Sequence, residues 1–190
     1  MTGSVTGRDV VDVLTTDHRE VTELIGQIRA TTDPERRREF TDIAISELVR
    51  HSVAEEMYVY PAMKKHLADG EKAVAHDIEE HQQLERIMKE LEAADSAGPG
   101  FVVLIGELES VLRDHVLDEE SEQFPELRAA VPHDELVEIA EKVEKAKKLA
   151  PTRPHPNAPN SELFHKLVGP GVGMVDRLRD KLTGRPTGEN

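Results

Sequence analysis

Two segments of the chain carry the same pair of metal-binding residue types at the same spacing. His51 is followed four residues later by Glu55, and His115 is followed four residues later by Glu119. Residues four apart share one face of a helix, so each imidazole and carboxylate can bind one ion or two adjacent ions. The segments therefore predict a pair of related metal-binding helices.

The similarity between the two segments extends in both directions along the chain. Each pair is followed by an aromatic residue and a proline, Tyr60-Pro61 in the first copy and Phe124-Pro125 in the second. Upstream of each pair lies one further histidine that follows an acidic residue, in Asp17-His18 and Glu80-His81. We predict a duplicated helical hairpin in which each copy supplies two imidazoles and one carboxylate.

These four histidines occupy positions that an apolar stripe otherwise fills with Leu, Ile or Val. One core histidine is usually a structural residue with satisfied hydrogen bonds, because burying an unpaired imidazole is costly. Four core histidines related by a repeat favour a metal site. Imidazole and carboxylate without sulfur suit iron or manganese, and zinc less specifically. We expect two metals, each held by two histidines, with Glu55 and Glu119 bridging.

The same spacing occurs elsewhere and is weak evidence by itself. His76 with Glu80 and His81 with Glu85 also fit, but Thr22 stands where the repeat would place a partner of Glu85. His76 precedes His81 by five residues, about 140° around a helix, so it does not reach the same site easily. The remaining histidines are expected at the surface: His66, His133, His155 and His165.

Apolar residues three or four apart predict long amphipathic helices. Asp9 is a candidate N-cap, and Asp33-Pro34 is a strong start signal for the second helix. Asp134 is predicted to cap a fifth helix. Long helices with short loops predict an all-α fold, an up-down-up-down four-helix bundle with an additional C-terminal helix.

The chain divides into a bundle with its fifth helix, over residues 9–150, and a Pro-rich linker with a short helical tail, over residues 151–190. Within the tail, four apolar residues predict a short amphipathic helix that docks on the bundle through them: Val172, Val175, Leu178 and Leu182.

Composition excludes several function classes. A net charge of −14 opposes attraction to nucleic acid or to an anionic membrane surface. The absence of cysteine excludes disulfides, thiol chemistry and iron–sulfur clusters. The first residues lack the apolar core of a signal peptide and no segment has the length of a membrane span, so we expect a cytoplasmic protein.

At these residues the chain resembles the hemerythrin-like family, the HHE cation-binding domains, from about Asp9 to Leu127. The resemblance implies a four-helix bundle with an oxo- or hydroxo-bridged pair of iron ions, manganese or zinc being less favoured. It implies binding of, or reaction with, O2, hydrogen peroxide or nitric oxide. The implied metal ligands are His18, His51, Glu55, His81, His115 and Glu119.

Two features depart from the oxygen-carrying members of that family. Those members have a fifth histidine one turn before the third-helix histidine, where this chain has Asp77. Their fourth-helix carboxylate also follows a longer spacing than that from His115 to Glu119. Fewer strong ligands leave more open metal positions, which favours catalase-like peroxide chemistry over O2 transport, although turnover and binding both stay open. Tyr58 shares the face of His51 and is a candidate ligand or hydrogen-bond donor, with a core role as its alternative.

Three other interpretations compete. An iron- or oxygen-responsive sensor or interaction module without turnover would use the linker and tail as its output. A ferritin-like di-iron enzyme would need Glu-x-x-His pairs, which occur only at Glu162 and His165. A metal-free structural bundle would need four coincidental core histidines. The protein partner, if one exists, is not specified by the sequence.

Overall fold

The computed structural model describes residues 7–157 and 169–188, and the regular elements within them are all helical. Eight α-helices are present in these ranges: α1 (Val10–Ala30), α2 (Pro34–Ala54), α3 (Tyr60–His66), α4 (Gly70–Ala93), α5 (Pro99–Asp118), α6 (Phe124–Ala130), α7 (His133–Lys147) and α8 (Gly169–Thr183). Two short π-helical segments join them, π1 (Glu55–Val59) between α2 and α3, and π2 (Glu119–Gln123) between α5 and α6.

Local signals in the sequence position the helix starts. Asp9 caps α1 by accepting a hydrogen bond from the amide of Asp12. Asp33 caps α2 in the same way, with Pro34 as its first residue, so both predicted N-caps are confirmed. The predicted cap at Asp134 is wrong, because α7 already begins at His133 after the extended residue Pro132.

The four long helices form an up-down-up-down bundle, as predicted. Helices α1 and α2 form one hairpin and α4 and α5 the other, while α1 also packs on α5 and α2 on α4. The additional helix α7 packs on α1, α2 and π1, so it covers only the first hairpin.

Two separate apolar clusters fill the bundle along its axis. One contains residues of α1, α3, α6 and α7, including Leu14, Met63 and Leu127. The other contains residues of α1, α2, α4 and α5, including Ile25 and Leu108. The polar layer between them holds the histidines and carboxylates that the repeat singled out.

Both π segments begin at a carboxylate of the repeat and end just before its aromatic–proline pair. The amide of Tyr60 donates to the carbonyl of Glu55, and the amide of Phe124 donates to that of Glu119. In each case the amide donates to the carbonyl five residues earlier, whereas in an α-helix it donates to the carbonyl four residues earlier. Such π-bulges are frequent at functional sites. Pro61 and Pro125 come next, at positions where a continuing α-helix would require an amide N–H that proline lacks.

Helix α8 forms, but the face predicted to dock is wrong. Val175, Leu178 and Leu182 are exposed, while Asp176 and Asp180 are buried against the rest of the chain. Asp180 accepts a hydrogen bond from Thr152 at 2.5 Å, and Arg153 also pairs with it. Polar contacts anchor the tail because the linker offers cations and hydroxyls at this position. The linker is correspondingly packed, with Pro151, Thr152 and Pro154 buried.

Within the described ranges, no helix combines the length and apolarity that crossing a membrane requires.

Candidate metal centre

The structure brings together the six side chains that the repeat and the resemblance singled out. The four histidines come from α1, α2, α4 and α5, and each is at most 3% exposed. Glu55 and Glu119 are the first residues of π1 and π2, and both are fully buried. Each of the four bundle helices thus contributes one imidazole, and the two π segments contribute one carboxylate each.

Each carboxylate lies between two imidazoles. The Oε2 atom of Glu55 lies 3.1 Å from Nε2 of His51 and 3.4 Å from Nε2 of His81. The Oε2 atom of Glu119 lies 3.3 Å from Nε2 of His18 and 3.6 Å from Nε2 of His115. All four Nε2 atoms therefore face the same interior space, and the arrangement has approximate two-fold symmetry that follows from the duplication.

The opposite ring nitrogen of each histidine is held by a second carboxylate. The four Nδ1 contacts are His18 with Glu120 at 2.9 Å, His51 with Asp17 at 3.2 Å, His81 with Glu56 at 3.1 Å and His115 with Glu80 at 3.0 Å. An Nδ1–H group that donates to a carboxylate leaves Nε2 with a free lone pair directed inward. Metal-bound histidines in proteins are almost always oriented by an outer partner of this kind.

The carboxylates alter the pKa values of the imidazoles. Burial by itself would lower the pKa of His51, but the charge of Glu55 and the hydrogen bond with Asp17 outweigh it and raise that pKa to about 10. Burial is likewise outweighed at His81, whose pKa is well above its usual value because of Glu55 and Glu56. In the metal-free protein, protons on His51 and His81 thus compensate the buried charge of Glu55.

Unsatisfied polar atoms show that this donor set suits a cation. The carboxylate oxygens of Glu55 and Glu119 are buried and meet no hydrogen-bond donor among the described residues other than the four imidazoles. Burying a carboxylate is costly unless its charge is compensated, and without a metal only protons on the imidazoles can do so here. Divalent cations between these oxygens and the Nε2 atoms would satisfy them all, so the residues fit a metal centre.

Two aromatic rings pack against the centre. The hydroxyl of Tyr60 lies 3.1 Å from Nε2 of His81, and its ring stacks on that imidazole with centroids 5.6 Å apart. Phe124 stacks on His18 with centroids 5.8 Å apart. Burial and the surrounding carboxylates raise the pKa of Tyr60 well above its usual value, so its hydroxyl keeps its proton.

Asp77 is fully buried beside the centre. Its Oδ1 atom accepts a hydrogen bond of 2.9 Å from Nε2 of Gln123, while Oδ2 has no hydrogen-bond partner. Potential ligand atoms of Asp77, Glu80 and His115 lie within 4.8 Å of one another. Burial raises the pKa of Asp77 to about 7.

Other predicted positions lie outside the centre. Tyr58 is half-buried and packs against the apolar cluster around α3, α6 and α7. His76 is 54% exposed and contacts Glu80 and Asp118. His165 and its partner Glu162 lie outside the described residues.

The sequence makes Glu56 and Glu120 candidate outer ligands, because they directly follow the bridging carboxylates, but it favours a surface role for both; it does not assign Tyr60 to the site and treats Glu80 as a chance match. Glu120 is indeed exposed but also binds His18, whereas Glu56 is buried against His81 and Glu80 binds His115. The signal was present, because an acidic residue adjoins His18, His81, Glu55 and Glu119 in both copies. This signal was set aside because adjacent residues on one helix point about 100° apart. In the structure, however, each outer carboxylate binds a histidine of a neighbouring helix.

Comparison with known proteins agrees with this geometry. Residues 9–127 match the family model of the hemerythrin HHE cation binding domain. An uncharacterized hemerythrin-like protein of Schizosaccharomyces pombe is 30% identical over 178 residues, which are 93% of this chain and 88% of that protein. A DNA nickase of Nostoc sp. is 27% identical over 120 residues, which are 63% of this chain and only 34% of that protein.

A solved structure supports the same assignment. The crystal structure of a hemerythrin HHE cation binding domain-containing protein from Mycobacterium kansasii superposes with a TM-score of 0.64 and 25% identity. The superposition covers 74% of this chain and 86% of that one. Together with the family match and the buried His and Glu cluster, it shows that the chain belongs to the hemerythrin HHE cation-binding family.

Proposed function

We propose that the cluster holds two iron ions and that the protein binds or reacts with small O2-derived molecules, with catalase-like peroxide chemistry favoured over O2 transport. One observation carries the proposal: four inward-facing Nε2 atoms surround two buried carboxylates whose oxygens meet no hydrogen-bond donor among the described residues other than these imidazoles. Imidazole and carboxylate donors without sulfur suit iron. When bound, two iron ions would relay two electrons from one hydrogen peroxide molecule, which becomes O2, to a second one, which becomes two waters.

The residues of this chain perform the remaining tasks. Glu55 and Glu119 supply oxygens that can bridge two cations, and the four outer carboxylates fix the orientation of the imidazoles. The apolar clusters on both sides keep bulk water out of this layer. Tyr60 places a protonated hydroxyl against His81, where it can donate a hydrogen bond to a small bound molecule.

Asp77 supports reaction over protected storage. Asp77 stands where the oxygen-carrying members have a fifth histidine, so a carboxylate on a shorter side chain replaces an imidazole. One of its two oxygens already accepts a hydrogen bond from Gln123. The centre then keeps fewer strong nitrogen ligands, which leaves positions for peroxide.

A route for a small molecule lies beside His18. A surface cavity of about 560 Å³ is lined by Glu120 and Phe124 together with Val11, Thr15 and Arg128. Glu120 and Phe124 are the two side chains that contact the His18 ring from the outer side. We propose that a molecule as small as peroxide enters past these two groups.

The test is metal content, absorption spectrum and O2 release from hydrogen peroxide by the purified protein. We expect about two iron ions per chain and near-ultraviolet absorption from the ferric pair. His51→Ala removes one imidazole and should lower both iron content and O2 release by tenfold or more. The matched control is His133→Ala, which removes an exposed histidine at the start of α7.

The outcomes separate the parts of the proposal. An iron-loaded protein that releases no O2 would disprove the peroxide chemistry and leave the binding or sensing alternative. A protein that is purified with zinc alone, and that takes up no iron after the zinc is removed, would disprove the di-iron centre itself.

A further inference from the structure

A second group of potential ligands lies on the surface next to the buried centre. Nε2 of His76 lies 3.6 Å from Oε1 of Glu80 and 3.5 Å from Oδ2 of Asp118. His76 and Asp118 are each about half exposed, whereas the Glu80 side chain is 11% exposed. The three side chains come from α4 and α5, and their ligand atoms lie within 4.8 Å of one another.

Glu80 connects this group to the buried centre. Its Oε2 atom accepts a hydrogen bond of 3.0 Å from Nδ1 of His115, while its Oε1 atom faces His76. One carboxylate is therefore shared by an imidazole of the buried centre and by the surface group.

The duplication supplies a comparison, because Asp17 is the counterpart of Glu80 in the first copy. The Oδ2 atom of Asp17 lies 3.2 Å from Nδ1 of His51, and its Oδ1 atom accepts a hydrogen bond of 2.6 Å from Nζ of Lys147. The second oxygen of this carboxylate is thus neutralised by an ammonium group. Lys147 is the last residue of α7, which packs on both helices of the first hairpin.

The second hairpin has no such ammonium group. Among the described residues, no Lys or Arg pairs with Glu80 or Asp118. At the positions where the second copy has His76 and Asp118, the first copy has Val13 and Ala54, which are both buried. Side chains able to bind a cation therefore occur only in the copy where the lysine is missing and the surface is open.

We propose that His76, Glu80 and Asp118 form a second, peripheral site for a divalent transition-metal cation, which takes the place that Lys147 occupies in the other half. One imidazole and two carboxylates on an open surface suit Zn²⁺, Mn²⁺ or Fe²⁺ and leave water in the remaining positions. The net charge of −14 raises the local concentration of cations. The site shares Glu80 with the buried centre, where it orients His115, but it uses none of the six candidate buried ligands, so Zn²⁺ binding at the two places can be measured separately.

The experiment is isothermal titration with Zn²⁺ of the purified protein, after its metal content has been measured. The double variant His76→Gln with Asp118→Asn keeps size and polarity but removes two ligands. The matched control His133→Gln with Asp134→Asn alters an exposed His-Asp pair at the start of α7. We expect the wild type and the control to bind about one more Zn²⁺ per chain than the double variant.

Two further measurements separate this site from the buried centre and from misfolding. Because the altered residues are half exposed, thermal melting of the double variant should match that of the control. In His51→Ala the extra Zn²⁺ should persist, which distinguishes failure of the peripheral site from failure of the buried centre. Equal Zn²⁺ binding by wild type and double variant, or an equal loss in the control, would overturn the proposal.

Discussion

Each histidine of the centre is fixed at both ring nitrogens. The Nε2 atoms face Glu55 or Glu119, and the Nδ1 atoms donate to a carboxylate that adjoins another member of the repeat. A ring held in this way loses little conformational entropy when a metal binds, and the outer carboxylate makes the imidazole a stronger donor. The outer carboxylates are therefore part of the site, although they are not expected to contact the metal.

We expect Glu56→Gln to weaken retention of iron. The amide oxygen can still accept from Nδ1 of His81, so ring orientation is kept, but the negative charge that strengthens the imidazole is lost. Outer-partner mutations typically cost 10–100-fold in metal affinity, and we expect about tenfold here. Competition with a chelator measures the iron affinity. The control is Glu122→Gln, which alters an exposed residue of π2, the counterpart of π1. Equal iron retention in both variants would contradict the role of Glu56.

At the residue scale, the sequence predicted more of the inner site than of its surroundings. Repeat and spacing singled out six side chains that the structure brings together. Their outer partners depend on which helix lies next to which, and a pattern counted along one helix does not contain that information. Glu56, for example, binds His81, which belongs to another helix, α4.

At the scale of elements, the π segments explain why Tyr60 rather than Tyr58 contacts a histidine of the centre. Five residues on an α-helix correspond to about 140°, which would turn Tyr60 away from Glu55. The π hydrogen bond from the Tyr60 amide to the Glu55 carbonyl places residues five apart above one another. Phe124 follows Glu119 by the same five residues. Regular helical periodicity therefore mispredicts positions that follow each bridging carboxylate.

The tail shows how polar contacts can override an apolar stripe. Helix α8 turns Asp176 and Asp180 toward the bundle and leaves Leu178 and Leu182 exposed. Its anchors are Arg153 and Thr152 of the linker, together with Arg185, which pairs with Asp42 and Glu92. The stripe alone predicted the helix but chose the opposite face, because Thr152 and Arg153, which bind Asp180, precede it by 28 and 27 residues.

We expect docking of α8 to weaken as pH rises. The hydrogen bond with Asp176, 2.9 Å from Nε2 of His155, raises the pKa of His155 against the opposing effect of burial. A raised pKa in the folded state means that this contact stabilises docking fully at low pH, below the ordinary histidine value of about 6.5. The contribution is lost as pH rises through the raised pKa.

Amide protection factors in α8 at about pH 5.5 and about pH 9 measure this effect. Wild type should lose protection at the higher pH, and His155→Asn should be less protected at the lower pH and respond less to pH. His133→Asn, at an exposed position, should behave as wild type. An identical pH response in His155→Asn and wild type would rule out His155 as the origin.

At the scale of the whole molecule, the centre ties the four bundle helices together. Its candidate ligands come from α1, α2, α4, α5 and the two π segments, and they lie between two separate apolar clusters. Metal affinity and folding stability are coupled in such an arrangement, since the unfolded chain has no preformed site. The coupling is also what a sensor would require, because occupancy would then alter the stability of the whole bundle.

We therefore expect removal of the metal to lower the thermal midpoint of unfolding. A ligand present at a hundredfold excess over its dissociation constant stabilises the fold by about 2.7 kcal/mol. For a chain of this size each kcal/mol corresponds to roughly 2–4 °C, so the midpoint should fall by about 5–10 °C. Circular dichroism melts before and after chelation measure the shift, and iron should restore it.

His51→Ala provides the control, because its melt should respond little to the chelator once the site is impaired. A midpoint that stays constant while the measured metal content falls to zero would show that the apolar clusters alone hold the bundle. The protons that His51 and His81 bind in the metal-free protein would then suffice to balance Glu55. That result would also count against the sensor alternative, since occupancy could not be transmitted through bundle stability, and it would leave chemistry at the centre as its only output.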